Sequence, residues 1–159
     1  MMNRRAWLRR AAGYTAGTVA ALVASRGTAL ALPLGAPHID VKKQVGCGCC
    51  TKWVEHLRAN GFDVTAAEDP NVDQFKDQVG VPPALRSCHT ATVEGYVVEG
   101  HVPAADIKRM LAQRPAIIGL AAPGMPMGSP GMEMPGMAPD PYDVIAFGKD
   151  GKTRVWAKH

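Results

Sequence analysis

Acidic residues are missing from the first 31 positions of this 159-residue chain. Their absence leaves a stretch that is basic at one end and apolar through the middle. Arg4-Arg5-Ala6-Trp7-Leu8-Arg9 has paired arginines, an aromatic, a leucine and another base. An Ala-rich run follows to Leu32, and Ala29-Leu30-Ala31 fits a small-x-small cleavage site. The run lacks what a membrane span needs, because Arg26, Gly13, Gly17 and Gly27 interrupt it. Residues 1–31 are therefore expected to be a cleavable, twin-arginine-like export signal. The mature chain, 32–159, is expected to be one periplasmic domain with no stable membrane insertion after cleavage.

The mature chain also lacks a basic stripe. All five leader arginines leave with the signal, so 13 basic residues face 14 acidic ones and the formal charge is −1. The basic character of the whole chain belongs to the leader, and nucleic acid is excluded as a partner. No Ser-His-Asp set, carboxylate pair or phosphate loop is present, which argues against common hydrolytic or phosphoryl-transfer chemistry. The cysteines do not form a stapling framework either. Three of the four lie within four positions, and a disulfide between such near neighbours closes too small a loop to stabilise much. A structural disulfide is accordingly not expected.

What is present is a succession of short elements. Residues 39–45 read as a strand, 50–60 as a helix with Trp53, Val54 and Leu57 on one face, and 62–66 as a second strand. A short helix over 71–79 stops at Gly80, and Glu94-Gly95 joins two strands in a hairpin. Pro103 opens a helix over 104–112. The order βαβαββα predicts an α/β, thioredoxin-like domain. Residues 115–141 have no period and read as a Gly-Pro-Met-rich loop, and 143–157 as a terminal hairpin.

The chemistry-bearing residues cluster around sulfur. Cys47-Gly48-Cys49-Cys50 follows the first strand and opens the first helix. Thiolates select soft metals such as Cu(I), with zinc as the alternative. Helix N–H groups should also lower the thiol pKa values. Cys47 and Cys50 have the spacing of a redox dithiol, so a thiol–disulfide oxidoreductase is the rival reading. Cys88-His89 stands at the entry to the third strand, where it can meet the cysteine turn in space. Met125 and Met127, with Met132, Met134 and Met137, offer thioethers, soft ligands for Cu(I). His101 reads as structural and His56 as surface. The metal-ligand set expected from the sequence is Cys47, Cys49, Cys50, Cys88, His89, Met125 and Met127. Copper is the cofactor or cargo and periplasmic copper-handling proteins are the expected partners.

A family resemblance rests on these same residues. Cys47-Gly48-Cys49-Cys50 with Lys52-Trp53-Val54, Gly80-Val81-Pro82, Ser87-Cys88-His89-Thr90, the run Gly95 to Pro103, Gly119-Leu120, Pro123-Gly124-Met125-Pro126 and Pro141-Tyr142-Asp143-Val144 form a set. The mature chain resembles a bacterial domain-of-unknown-function family that includes the CopG-type periplasmic copper-resistance proteins. The resemblance implies a thioredoxin-like fold and copper bound by the Cys-x-Cys-Cys and Cys-His elements. It leaves open whether the protein stores, delivers or redox-cycles the metal.

Overall fold

The computed structural model describes residues 35–159; the expected export signal lies outside the described residues. Seven strands form one mixed sheet in the order β2-β1-β3-β4-β5-β6-β7. The chain runs β1 (His38–Lys43), α1 (Gly48–Ala59), β2 (Asp63–Glu68), α2 (Val72–Val79), β3 (His89–Val93), β4 (Tyr96–Gly100), α3 (Ala104–Gln113), β5 (Gly119–Ala122), β6 (Asp143–Phe147) and β7 (Thr153–Lys158). A single 3-10 turn over Pro83–Leu85 separates α2 from β3. Among the described residues no helix is long and apolar enough to cross a membrane.

The expected βαβαββα order is present, with β1 parallel to β2 and antiparallel to β3. One strand departs from the expectation. Gly119–Ala122, read as loop, forms β5, parallel to β4 and antiparallel to β6. All four of its residues are buried, so it shows no inside–outside alternation, and Gly and Ala carry little strand preference of their own. β5 joins the terminal hairpin to the rest of the sheet. The edges are β2, with exposed Asp63 and Glu68, and β7, with Arg154 and Lys158. Charged edges of this kind discourage further strand pairing.

Trp53, Val54 and Leu57 of α1 are buried against Ile39, Val41, Ala91 and Val98 of the sheet and Ile107 and Met110 of α3. Each such side chain contributes about 1.5–3 kcal/mol when fully buried. The Trp53 indole N–H donates to the Val102 carbonyl at 2.9 Å, which ties α1 to the turn after β4. α3 begins after Pro103, and its first free N–H, at Ala104, donates to His56 Nε2 at 3.1 Å. His56, expected on the surface, is thus half-buried and serves as a cap across two helices. Burial lowers its pKa and keeps the accepting nitrogen unprotonated.

Candidate metal centre

β1 ends at Lys43, and the Gln44 N–H donates to the Cys88 carbonyl at 3.0 Å. That bond sets the cysteine turn beside the entry to β3. Cys47 then caps α1, its sulfur accepting the Cys50 N–H at 3.4 Å. Cys49 is half-buried and Cys50 is buried, both in the first turn of the helix.

Cys47 and Cys50 are joined as a disulfide. This corrects the expectation that no disulfide would form among the clustered cysteines. The helix start holds positions i and i+3 with their Cα atoms 5.4 Å apart, well inside bridging range. A bond that adds little as a staple is therefore still easy to make. Cys49 and Cys88 remain free thiols.

Cys88 stands just before β3, His89 begins the strand, and His101 follows β4. Gly100 makes the last placement possible. Its φ is +69°, and a Cβ there would lie 2.6 Å from the Ala122 carbonyl oxygen. The reversal swings His101 back toward Cys88, with Nε2 3.8 Å from Cys88 Sγ. The other ring nitrogen, Nδ1, meets the Pro130 carbonyl at 2.8 Å. A carbonyl only accepts, so Nδ1 carries the proton and the Nε2 lone pair faces the sulfur.

Two groups of potential ligand atoms result. The sulfurs of Cys47, Cys49, Cys50 and Cys88 lie within 4.8 Å of one another, and so do the ligand atoms of Cys88, His89 and His101. Cys88 belongs to both. Cys49 Sγ is 4.0 Å from Cys88 Sγ and 3.5 Å from Cys47 Sγ. A metal about 2.3 Å from each of two sulfurs needs them about 4 Å apart, so the Cys49–Cys88 pair fits.

Burial disfavours the charged forms of Cys88, His89 and His101. Burial pushes the Cys88 thiol up, and the neighbouring Cys49 adds to the effect against a lowering contact from Ser87. His89 is held well below the ordinary imidazole value, first by burial and then by His101 and Lys76. Burial likewise lowers His101. The His89 ring lies 4.3 Å from that of Trp53 and 5.0 Å from that of His101, and neither of its nitrogens has a hydrogen-bond partner. An unpartnered buried polar group costs about 1–3 kcal/mol. A soft or borderline cation bound to a lone pair here would offset that cost, so the donor set suits a metal.

The methionine loop closes one side. Residues 123–141 carry no helix or strand and run as successive turns. Met125 Sδ is 3.2 Å from Cys88 Sγ. Met125 reaches it from a left-handed backbone, φ +49°, uncommon for a side-chain-bearing residue. Further along, Gly131 packs so closely on α1 that a Cβ would lie 2.9 Å from both the Cys49 carbonyl and the Trp53 nitrogen. The Met127 carbonyl, in the same loop, accepts the Asp140 N–H at 3.0 Å. Met125 brings a thioether to the cysteines.

Beneath the centre lies an ion pair absent from the sequence reading. Lys76 Nζ donates at 2.7 Å to Glu99 Oε1 and at 2.7 Å to Thr90 Oγ1, all three side chains being buried. Glu99 Oε1 also accepts the Ser87 N–H at 2.6 Å, and Thr90 donates to the other carboxylate oxygen. Burial raises the Glu99 pKa despite the Lys76 ammonium. The network fixes the backbone one residue before Cys88.

Two solved structures share this architecture, Form 1 and Form 2 of the copper resistance protein copG. Form 1 is 47% identical, with a TM-score of 0.73, covering 77% of this chain and 96% of that one. Form 2 is 45% identical, with a TM-score of 0.74, covering 78% and 98%. This chain belongs to the CopG family. A family described as "Protein of unknown function, DUF411" also matches residues 85–132. No curated protein matches. The DUF411-matched segment 85–132 contains Cys88, His89, His101 and Met125, the strand and loop side of the centre. His101, read as structural but able to approach the site, is brought beside Cys88 by the Gly100 reversal. Its place within Gly95–Pro103, part of the resemblance, was the available signal.

Proposed function

We propose that this protein is an exported, thioredoxin-like Cu(I)-binding protein of the periplasm that acts in copper resistance. One observation carries the reading: Cys88 is shared by a four-sulfur group and a Cys-His-His group, each within 4.8 Å. Thiolate sulfur and neutral imidazole suit Cu(I), and the copper resistance proteins at 47% and 45% identity support the choice of ion over zinc. The parallel β1–α1–β2 unit followed by the antiparallel β3–β4 pair and α3 supports the thioredoxin-like assignment. The twin-arginine-like leader at residues 1–31 supports export.

In this reading Cu(I) is the cargo. Cys49 and Cys88 bind it first, since both are free. Each of the two thiols gives up its proton to solvent on binding as thiolate, and His101 offers Nε2 without losing one. Cys47 and Cys50 become ligands only after the disulfide takes up two electrons and two protons. The test is anaerobic competition for Cu(I) between the reduced protein and a Cu(I) chelator. Wild type should retain copper, whereas Cys49→Ser and Cys88→Ser should lose most of it. Full retention by both variants, or preferential loading of zinc, would reject the reading.

The disulfide also favours a second reading, a thiol–disulfide oxidoreductase using Cys47 and Cys50. The two are compatible if oxidation of two Cu(I) to two Cu(II) supplies the two electrons. Copper-independent reduction of a substrate disulfide, lost in Cys47→Ser, would favour the enzyme.

A further inference from the structure

Met134 and Met137 have no place in the centre just described. They are 54% and 56% exposed, and with Met125 they make three of the five large exposed hydrophobic side chains among the described residues. The Met134 carbonyl accepts the Met137 N–H at 3.2 Å, closing a four-residue turn. Pro135 and Gly136 occupy its middle, with Gly136 at φ +81°. Proline then glycine with positive φ is the pattern of a type II turn, which brings its end Cα atoms within about 7 Å. Two exposed, thioether-bearing residues are thereby brought to neighbouring positions at the ends of one turn.

We propose that Met134 and Met137 form a solvent-facing acquisition site for Cu(I), separate from the cysteine centre and feeding it. The inference rests on the Cu(I) reading above. Proline at the second turn position limits the freedom lost when both side chains close on one ion. Thioether is neutral and soft, so the pair selects a soft monovalent cation over Zn(II), Ca(II) or Mg(II). Unlike a thiol, it needs no reduction or deprotonation to bind. A site of two neutral ligands holds Cu(I) less tightly than thiolates do, so the ion passes inward. The destination is joined to the pair by one stretch of chain: the same loop places Met125 against Cys88 and the Pro130 carbonyl on His101.

Two measurements test the pair. The first uses Cys49→Ser/Cys88→Ser protein with the Cys47–Cys50 disulfide intact, so that no free thiol remains. Its methionine methyls are carbon-13 labelled and titrated with Ag(I), a redox-inert counterpart of Cu(I). The Met134 and Met137 methyl resonances should shift together, and Met134→Leu should weaken the Met137 response. Independent responses, or none at these two methyls, overturn the proposal. The second follows Cu(I) uptake by reduced protein from a Cu(I)–bicinchoninate complex under anaerobic stopped flow. Met134→Leu/Met137→Leu should load several-fold more slowly than wild type, and equal rates overturn the acquisition role. A wild type that loads no Cu(I) in this arm rejects the cysteine-centre reading and the acquisition role with it, whereas a failure confined to the methionine variants rejects the acquisition role alone.

Discussion

Strands β3 and β4 carry two buried polar clusters that obey opposite rules. In one, Lys76, Thr90, Glu99 and the Ser87 N–H all find partners within the cluster. In the other, His89 has no partner at either nitrogen, although it is as deeply buried as Lys76. The members adjoin along the chain: Ser87 and Thr90, of the first cluster, flank Cys88 and His89, of the second. A fold able to pair an ammonium with a carboxylate in its interior is able to supply one acceptor to a histidine. The contrast marks the Lys76–Glu99 cluster as complete by itself and the His89 cluster as the one with donor atoms left for a ligand.

The largest expected effect is on the complete cluster. Lys76→Met or Glu99→Leu alone leaves one buried charge without its partner and should cost about 3–5 kcal/mol. The double variant Lys76→Met/Glu99→Leu should recover much of that loss. Urea denaturation of the metal-free protein checks both, and a double variant as unstable as the singles would break the contrast.

The open cluster should respond in the other direction. His89→Phe removes two unpartnered nitrogens while keeping a ring against Trp53. It should stabilise the metal-free protein by about 1–3 kcal/mol, seen as a higher urea midpoint. The same change should reduce Cu(I) retention, so the gain in stability and the loss of copper are expected together.

Acid sharpens the comparison further. His89, His56 and His101 are all depressed below 6.5 in the fold. A depressed group binds fewer protons folded than unfolded, so its contribution is full above pH 6.5 and is lost as pH falls below it. Each such proton steepens the loss to at most about 1.4 kcal/mol per pH unit. His38, raised by Asp63 and Asp40, acts oppositely, but it is exposed and screened. Urea midpoints between pH 7.5 and 5 should fall, and His89→Phe should flatten the fall.

The smallest effect is expected at the cover. Met125→Leu keeps the bulk and removes the sulfur near Cys88, so stability should move by less than about 0.5 kcal/mol. Cu(I) should be lost faster to a competing chelator, as read from dissociation rates.

Much of this arrangement was legible from spacing. The cysteines sit where a strand gives way to a helix, and Gly80, Glu94-Gly95 and Pro103 punctuate the elements as turn chemistry requires. What escaped depended on tertiary placement. Lys76 looks like a solvent-facing residue of a polar helix until Glu99 and Thr90, from two strands, are seen to surround it. β5 has neither alternation nor β-branched residues, because both of its faces are covered. The Cys47–Cys50 pair was legible as redox-dithiol spacing; that it is bonded follows from the helix cap, which loop length alone leaves out.

In the proposed reading Cys88 joins the sulfur group to the imidazoles in one Cu(I) centre. Copper X-ray absorption on anaerobically reduced, Cu(I)-loaded protein reads the ligand shell of that centre directly. A cuprous edge and a sulfur-dominated shell with a nitrogen contribution are expected. His101→Ala should reduce the nitrogen contribution and Cys88→Ser should deplete the copper. An unchanged spectrum and unchanged copper content in both variants would contradict the reading.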